Sequence, residues 1–440
     1  MNQNKFTEYF SEKYPDQKVF NQTVEEISKD VFQYAEENNF SEQDFGLIQR
    51  MFEPERIISF KVVWENDKGE SQFNTGHRVQ FNSSRGPYKG GLRFDKTVNL
   101  DILKFLALEQ TFKNALTGLP LGSGKGGSDF DPKGKSDNEI KRFCKAFITE
   151  LYRYIGAETD VPAGDMGVGS KEIGYMYGQY KKIQNRHTGI LTGKGPEFGG
   201  SCGRTEATGY GVVYLAEHIL KDAGHEMSGN KAVVSGAGNV ASHVAEKLIQ
   251  KGAIVLTLSE REGYLYKDAG FTLEDIDALK DAKEERMSLE DFAKKNSMEF
   301  KPGKVWGEKA DLYFPSATQN EINEDDAKNI VESEAILLCE GANMPSSNEA
   351  VEIFQNSDVI FVPGKAANAG GVAVSGLEMN QNAAHDSWTK SAVEERLQLI
   401  MKNIFDTMKK YGGEEKTDYL RGANVGGFVK VFNAMRSLGW

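Results

Sequence analysis

The chain has 440 residues, of which 39% are hydrophobic and 27% are charged, and its formal net charge is −12. This composition is typical of a globular protein with roughly two or three domains. The acidic balance argues against a nucleic-acid partner, which needs a basic face. We find neither an apolar signal-peptide core nor a run approaching ~18 apolar residues, so we expect a cytoplasmic protein without a membrane span. The three cysteines are far apart and no metal-ligating motif is present, so no metal site is predicted.

The first part of the chain predicts a mixed α/β domain. Residues 23–40 have helical periodicity. Apolar residues then alternate over 58–64, before the turn signal NDKG, which predicts two strands with the second ending near Phe81. Strong helices are predicted at LDILKFLALEQTFKNAL and at NEIKRFCKAFITELYRYIG, where Cys144 is expected to pack in the core.

A glycine-rich stretch, LTGLPLGSGKGGSDFDP, follows the first of these helices and surrounds Lys125 with glycines. It is not an ATP-binding phosphate loop, because Leu119 stands where that motif needs glycine and Gly126 where it needs serine or threonine. We interpret it as a loop whose glycines allow a substrate and a nicotinamide ring to approach Lys125. A lysine enclosed in this way and near other cations could act as a general base.

Other charged residues occur in similar surroundings. Lys89 lies in SSRGPYKGGLRF, Lys113 follows Gln110 by three residues, and Asp165 lies between glycines in DVPAGDMGVGS. For any one of these lysines, a solvated surface charge would be the ordinary interpretation. Their joint occurrence in glycine-rich or apolar segments predicts an anionic substrate with more than one carboxylate.

From about residue 200 the pattern changes to short, nearly continuous apolar strands separated by helices. The predicted strands lie in KAVVSGAGNV, AIVLTLSE, ADLYFPSA, AILLCEGA and VIFVPG. This alternation is typical of a parallel sheet with helices on both faces. A long amphipathic helix, SAVEERLQLIMKNIFDTMKKYGG, is then expected to cross back to the first domain.

A dinucleotide-binding fingerprint follows the first of these strands. Gly236, Gly238 and Ala241 have the G-x-G-x-x-G/A spacing, and the helix after them would direct its N-terminus at a pyrophosphate. Glu260, 24 residues after Gly236, could accept a hydrogen bond from the adenosine ribose. That carboxylate favours NAD, whereas the adjacent Arg261 could accommodate the extra phosphate of NADP. Both cofactors stay open, with a weak preference for NAD.

The motifs PYKGGLRF, EQTFKNALTGLPLGSGKGGSDFDPKGKSD, DVPAGDMGVG, SGAGNVA, ATQNEI, EGANMP and GKAANAGGVAVSGLEMNQN together resemble the hexameric glutamate dehydrogenases. The resemblance extends from about residue 50 to the C-terminus. It implies an α/β protein with a mixed α/β substrate-binding and oligomerisation domain (1–200), a Rossmann-like dinucleotide-binding domain (201–375) and C-terminal helices crossing back (376–440), with a cleft between the two domains. It also implies a cytoplasmic homohexamer acting on glutamate, 2-oxoglutarate and ammonium.

The resemblance also implies roles for single residues. Lys125 would activate water and Asp165 would shuttle protons. The residues expected to bind the substrate are Lys113, Gln110 and Gly164 at its α-carboxylate and amino end, and Lys89 and Ser375 at its side-chain carboxylate. The residues expected to lie along the cofactor are Arg204, Thr208, Gly236, Gly238, Asn239, Val240, Glu260, Thr318, Gln319, Asn343 and Asn368.

Three other functions share some of these features but fit the sequence less well. Branched-chain and aromatic amino-acid dehydrogenases share the lysine and aspartate machinery but have apolar residues in place of Lys89 and Ser375. Burying Lys89 alone against an aliphatic substrate would cost several kcal/mol, so its presence favours glutamate. A catalytically silent dinucleotide-binding regulator would be expected to lack one of Lys89, Lys113, Lys125 and Asp165. An ATP-dependent enzyme is opposed by the failed phosphate-loop spacing.

Overall fold

The computed structural model describes residues 2–285, 287–413 and 417–440. The chain divides into two compact units. The first contains residues 1–204, 372–393 and 424–440, and the second contains residues 205–371 and 394–423. The domain boundaries and roles predicted from the sequence remain predictions.

The helices and strands up to residue 204 belong to the first unit. They are α1 (Gln3–Lys13), α2 (Lys18–Glu37), α3 (Glu42–Met51), β1 (Arg56–Glu65), β2 (Ser71–Asn82), β3 (Tyr88–Phe94), α4 (Leu100–Leu116), β4 (Ser123–Ser128), α5 (Asp137–Leu151), β5 (Asp160–Gly164) and α6 (Ser170–Gln184). The strands form one mixed sheet in the order β1-β2-β4-β3-β5. β3 is parallel to β4 and β5, whereas β2 is antiparallel to β1 and β4.

Strand β4 corrects the interpretation of the glycine-rich stretch as a loop. Residues SGKGGS form the central strand of the sheet, with Lys125 opposite Val79 of β2 and Gly126 opposite Leu92 of β3. The glycines have a reason in the sheet itself, because a Cβ atom at Gly90 of β3 would lie 1.8 Å from the carbonyl oxygen of Gly124. Glycine therefore lets the central strands approach each other closely.

Helices cover this sheet, and the hydrophobic core lies between the helices and the sheet. α4 packs against β2 and β4, and α5 packs against β1 and α6. The apolar cluster beneath α5 and α6 includes Trp64, Phe94 and Phe143, together with Cys144, which is fully buried as the sequence predicts. These helices thus hold the sheet in place. The charged residues described below lie on its strands or directly after them.

The second unit contains most of the remaining elements, and the three C-terminal helices are shared. The elements are α7 (Ala207–Asp222), β6 (Lys231–Val234), α8 (Asn239–Gln250), β7 (Ile254–Val255), β8 (Thr257–Ser259), β9 (Gly263–Tyr266), α9 (Leu273–Glu284), α10 (Leu289–Asn296), β10 (Glu299–Pro302), β11 (Leu312–Phe314), α11 (Glu324–Glu332), β12 (Leu337–Cys339), α12 (Asn348–Gln355), β13 (Ile360–Val362), α13 (Gly364–Ala367), α14 (Gly370–Ala384), α15 (Lys390–Tyr411) and α16 (Tyr419–Ser437). Most of α14 and α16 belongs to the first unit, and most of α15 to the second.

A parallel five-stranded sheet forms the centre of the second unit. Its order is β13-β12-β11-β6-β7, and every adjacent pair is parallel. This Rossmann-like arrangement confirms the predicted fold class of a mixed α/β unit followed by a dinucleotide-binding unit.

One predicted strand is wrong in its extent. AIVLTLSE forms two strands, because β7 pairs in parallel with β6 whereas β8 turns away to pair antiparallel with β9. The hydroxyl of Thr257 accepts a hydrogen bond from the Val234 amide and donates one to the Val234 carbonyl oxygen, both at 3.0 Å. A side chain thus replaces the backbone pairing that would have continued the strand.

Candidate active site

Lys125 and Asp165 form an ion pair at one end of the first unit's sheet. β4 carries Lys125, and Asp165 directly follows the last residue of β5, Gly164. Lys125 Nζ lies 2.8 Å from Asp165 Oδ2, and Arg93 Nη2 lies 3.6 Å from Oδ1. Burial raises the pKa of Asp165, but Lys125 and Arg93 outweigh this effect and lower it well below its usual range. The carboxylate is therefore ionised at neutral pH.

A second basic group surrounds Lys89 on β3. The Lys89 side chain is only 1% exposed. Burial and the charges of Arg204 and Arg78 lower the pKa of Lys89 well below its ordinary value. Arg204, which the sequence analysis expects along the cofactor, belongs to the first unit, where its Nε donates to Ser375 Oγ at 3.1 Å. Lys89, Arg204 and Ser375 therefore form a basic cluster, called the basic pocket below.

Two buried carboxylates near this pocket already have cationic partners. Asp160 pairs with Arg78, whose Nε donates to Oδ2 at 2.9 Å. Glu378 pairs with Lys194, with 2.8 Å between Nζ and Oε1. Within the described residues, neither Lys89 nor Arg204 forms an ion pair of its own. A bound carboxylate would supply the missing partner.

The predicted residues for the α-carboxylate end lie on α4 and at the end of β5. Gln110 Nε2 donates to Asn114 Oδ1 at 2.6 Å, and Asn114 Nδ2 in turn donates to the carbonyl oxygen of Lys89 at 3.1 Å. Lys113 is half-buried in the last turn of α4, and Gly164 closes β5 before Asp165. The first unit thus holds all seven of the predicted catalytic and substrate residues.

Sequence reasoning missed several residues of this group. Arg93 lies inside the quoted motif PYKGGLRF and Glu378 inside VSGLEMNQN, so their motifs marked them without indicating a role. Lys194 carries no sequence signal. Thr192 is fully buried, and among the described residues its hydroxyl has no hydrogen-bond partner. This hydroxyl lies in a loop that pairs with β5, and a bound ligand or a water molecule would satisfy it.

The second unit contains a cradle suited to a dinucleotide. Gly236, after β6, has φ +87°, and a Cβ atom there would lie 3.0 Å from the carbonyl oxygen of Ser316. Gly238 is the N-cap of α8, so Asn239 and Val240 begin the helix whose N-terminal amides can bind an anion. These residues adjoin a cavity of about 830 Å³ lined by Gly236, Gly238, Glu260, Arg261, Lys304, Thr318 and Glu321, among others. The residues present therefore fit the predicted cofactor.

The other predicted cofactor residues lie around the same parallel sheet. Asn239 Nδ2 donates to the Thr205 carbonyl oxygen at 2.8 Å, and Thr208 lies in the first turn of α7. Asn368 Nδ2 donates to Asn343 Oδ1 at 2.9 Å, and within the described part of the chain Asn368 Oδ1 has no partner. Thr318 and Gln319 are exposed in the loop after β11.

Glu260 is already engaged within the second unit. Lys283 pairs with Oε1, and the Leu289 amide at the start of α10 donates to Oε2 at 3.1 Å. Arg261, beside it, is exposed at the same cavity. Lys283 therefore balances the negative charge of Glu260, the charge from which the weak preference for NAD was inferred.

Two features are absent from the part of the chain that the structure describes. In residues 2–285, 287–413 and 417–440, no group of three or more histidine, cysteine or acidic side chains is placed to hold a metal ion. Over the same ranges, no helix has both the length and the apolar character that crossing a membrane requires.

Comparison with known proteins relates both units to one family. Residues 54–182 match the family model described as the Glu/Leu/Phe/Val dehydrogenase dimerisation domain, and residues 199–439 match that of the Glutamate/Leucine/Phenylalanine/Valine dehydrogenases. The chain therefore belongs to the Glu/Leu/Phe/Val dehydrogenase family.

Individual relatives are more specific. The chain is 49% identical over 444 residues to a glutamate dehydrogenase of Bacteroides thetaiotaomicron, with 100% of both chains covered. It is 49% identical to the NADP-specific glutamate dehydrogenase of Escherichia coli, covering 99% of this chain and 98% of the relative. A crystal structure of Plasmodium falciparum glutamate dehydrogenase is 47% identical with a TM-score of 0.97, covering 100% of this chain and 94% of that one.

The names of these relatives bear on the cofactor. Other similar proteins are named NADP-specific, and another is named NAD(P)-specific. The family thus uses a nicotinamide dinucleotide. The weak preference for NAD drawn from Glu260 is not supported, which agrees with the engagement of that carboxylate by Lys283.

Proposed function

We propose that the protein catalyses the reversible oxidative deamination of L-glutamate. Water and oxidised NAD(P) are consumed, and 2-oxoglutarate, ammonium, reduced NAD(P) and a proton are formed. The observation that carries the proposal is the pair of basic side chains, buried Lys89 and half-buried Arg204, beside Ser375. An aliphatic or aromatic side chain in this pocket would leave both basic groups without a counter-ion, whereas the side-chain carboxylate of glutamate would pair with them.

The residues divide the work between orientation and proton transfer. Lys89 and Ser375 bind one carboxylate, and Lys113, with Gln110 and the carbonyl of Gly164, binds the other carboxylate and the amino group. Fixing both ends of the substrate orients Cα and its hydrogen, which is catalysis by positioning. The nicotinamide, when bound, accepts the hydride from Cα.

Asp165 acts before the hydride transfer, and Lys125 and Asp165 both act on the iminium that results from it. Asp165 takes a proton from the substrate amine, since it is a carboxylate kept ionised by Lys125 and Arg93. Lys125 removes a proton from the water that attacks the iminium carbon. Asp165 returns its proton to the nitrogen of the carbinolamine. As the carbon–nitrogen bond breaks, the hydroxyl proton passes to the departing ammonia, which leaves 2-oxoglutarate and ammonium, and the proton taken up by Lys125 is released to solvent. The 2.8 Å contact between the two side chains supports such proton exchange.

For the cofactor, we propose that NADP is accepted as well as NAD and that Arg261 contacts the 2′-phosphate. Arg261 is exposed at the cavity, and the charge of Glu260 is balanced by Lys283. An Arg261→Ser variant should lose about tenfold in kcat/KM for NADP relative to NAD, the value of a charge-assisted contact. An unchanged ratio would exclude this role. The Glu260→Ser variant, measured in parallel, reports whether Glu260 contacts the ribose at all.

We also propose that the protein is a cytoplasmic homohexamer in which residues 1–200 bind the substrate and make subunit contacts. Support for self-association comes from the matched dimerisation domain and from the outer face of β1 and β2. There Val63 and Phe73 are paired across the strands and are 60% and 71% exposed. Exposed apolar pairs of this kind are typical of protein interfaces.

The deciding experiment is a steady-state assay of the purified protein with both cofactors in both directions. Oxidation of reduced cofactor should require 2-oxoglutarate and ammonium together. Turnover of leucine, valine or phenylalanine in place of glutamate would contradict the substrate assignment. Cofactor binding without any turnover would favour a silent regulator instead.

A further inference from the structure

The Lys194–Glu378 ion pair is connected to the basic pocket by α14, which carries both Ser375 and Glu378. The two side chains are 1% and 0% exposed, so the pair is fully withdrawn from water. Glu378 follows Ser375 by one turn of α14, which places both residues on one face of the helix. Glu378 also accepts a hydrogen bond from the Gly193 amide at 2.9 Å, and Lys194 Nζ donates to the Leu191 carbonyl oxygen. The pair is therefore part of the wall that carries Ser375.

Glu378 acts electrostatically on both cations of the pocket. Burial and neighbouring cations lower the pKa of Lys89, and Glu378 partly opposes this effect. Burial likewise lowers the pKa of Arg204, and Glu378 is the charge that opposes it. Glu378 lies one turn after Ser375, whose Oγ accepts a hydrogen bond from Arg204 Nε at 3.1 Å, so its carboxylate is on the helix face that adjoins these cations.

We propose that Lys194 is a positioning residue that determines selectivity for substrates with a side-chain carboxylate, because it prevents Glu378 from neutralising Lys89 and Arg204. The inference rests on the proposed function, in which those cations bind the side-chain carboxylate of glutamate. Without Lys194, Glu378 would be a buried charge without its partner, and an unpaired buried charge is strongly disfavoured. The nearest cations would be those of the pocket, so Glu378 would compete with the substrate from within the protein.

The test compares Lys194→Met with the double variant Lys194→Met/Glu378→Gln. In the single variant we expect KM for glutamate and for 2-oxoglutarate to rise at least about tenfold, with kcat and KM for ammonium changed by less than about threefold. The ratio of kcat/KM for glutamate to that for norvaline should fall by a similar factor. In the double variant the competing charge is gone, so both KM values should return to within about threefold of the wild type.

A purely structural role for Lys194 predicts a different pattern. In that case the second substitution would not rescue KM, since it restores no contact. A single variant with unchanged KM, or a folded double variant whose KM stays at least about tenfold above the wild type, would overturn the inference. If the single variant does not fold, the double variant still decides, because a neutral pair of similar shape commonly replaces a buried ion pair without loss of the fold.

Two controls separate this inference from the proposed function. Lys171→Met removes an exposed lysine that pairs with Asp137 in the same unit, and it should leave all kinetic constants unchanged. If the wild-type protein does not turn over glutamate with either cofactor, the proposed function fails. If the wild type is active and the Lys194 variant behaves like it, only the inference about Lys194 fails.

Discussion

Replacing Lys125 by methionine and, separately, by arginine tests the proposed role of this residue. Methionine removes the charge and the base but keeps the length of the side chain. Arginine keeps a positive charge near Asp165 but cannot be deprotonated in a protein, so it cannot serve as a base. If Lys125 activates water, both variants should lose turnover. If it only supplies charge, arginine should preserve much of it.

The distances in the structure indicate how far each property should change. Coulomb attraction scales inversely with distance, so Arg93 at 3.6 Å attracts Asp165 about three quarters as strongly as Lys125 at 2.8 Å. Asp165 therefore keeps a partner in the methionine variant, and we expect a stability loss of about 1–3 kcal/mol, less than that for an unpaired buried charge. Loss of a positioned general base should lower kcat by about 10²–10⁴-fold, or about 3–5 kcal/mol.

The assay measures oxidation of reduced cofactor with 2-oxoglutarate and ammonium, alongside thermal unfolding at two pH values. Because the cations depress the pKa of Asp165, its carboxylate stabilises the fold at neutral pH, and this contribution disappears as the pH falls through the acidic range. The methionine variant should therefore lose less stability than the wild type between about pH 7 and about pH 3. A folded methionine variant that retains kcat within about tenfold would refute the assigned role, and an active arginine variant would refute the role as a base.

Three further predictions concern other parts of the molecule. Gly90→Ala should lower the melting temperature sharply, because its Cβ would lie 1.8 Å from the Gly124 carbonyl oxygen. The control Gly178→Ala, in open space on α6, should be neutral or stabilising by up to about 1 kcal/mol. Equal melting temperatures for the two variants would contradict the packing argument. Burial raises the pKa of Glu321, which lines the cofactor cavity, to about 7. In binding titrations of the wild type, the affinity for the anionic cofactor should therefore fall as the pH rises through neutrality, because Glu321 becomes negatively charged. Glu321→Gln should abolish this pH dependence. Phe73→Glu should weaken self-association, measured by sedimentation, and an unchanged assembly would exclude this face from the interface.

The sequence predicts well those features that short patterns encode. The dinucleotide fingerprint places Gly236 and Gly238 between β6 and α8, where the structure has them, because the tight turn and the helix start depend on neighbouring residues alone. The alternation at residues 58–64 predicts β1 for the same reason. Local periodicity also predicts the long helix α15.

Features that depend on distant parts of the chain were predicted less well. The glycines around Lys125 have the composition of a loop, and only the neighbouring strands explain them as a central strand. The break between β7 and β8 depends on hydrogen bonds from Thr257 to Val234, 23 residues earlier. Glycine content and apolar runs limit the secondary structures that a segment can adopt, but pairing with neighbouring strands determines which of them it adopts.

The charge of the basic pocket is another feature that the sequence alone could not predict, because it depends on contacts between distant residues. The sequence identifies Lys89 as a candidate, but it cannot show which cations are already neutralised. Lys194 and Glu378 are 184 residues apart, and the pair forms only because α14 returns to the first unit. That pairing is what leaves Lys89 and Arg204 available to an incoming carboxylate. A pattern of lysines therefore indicates an anionic ligand, and only the arrangement of their partners indicates where its charge will be bound.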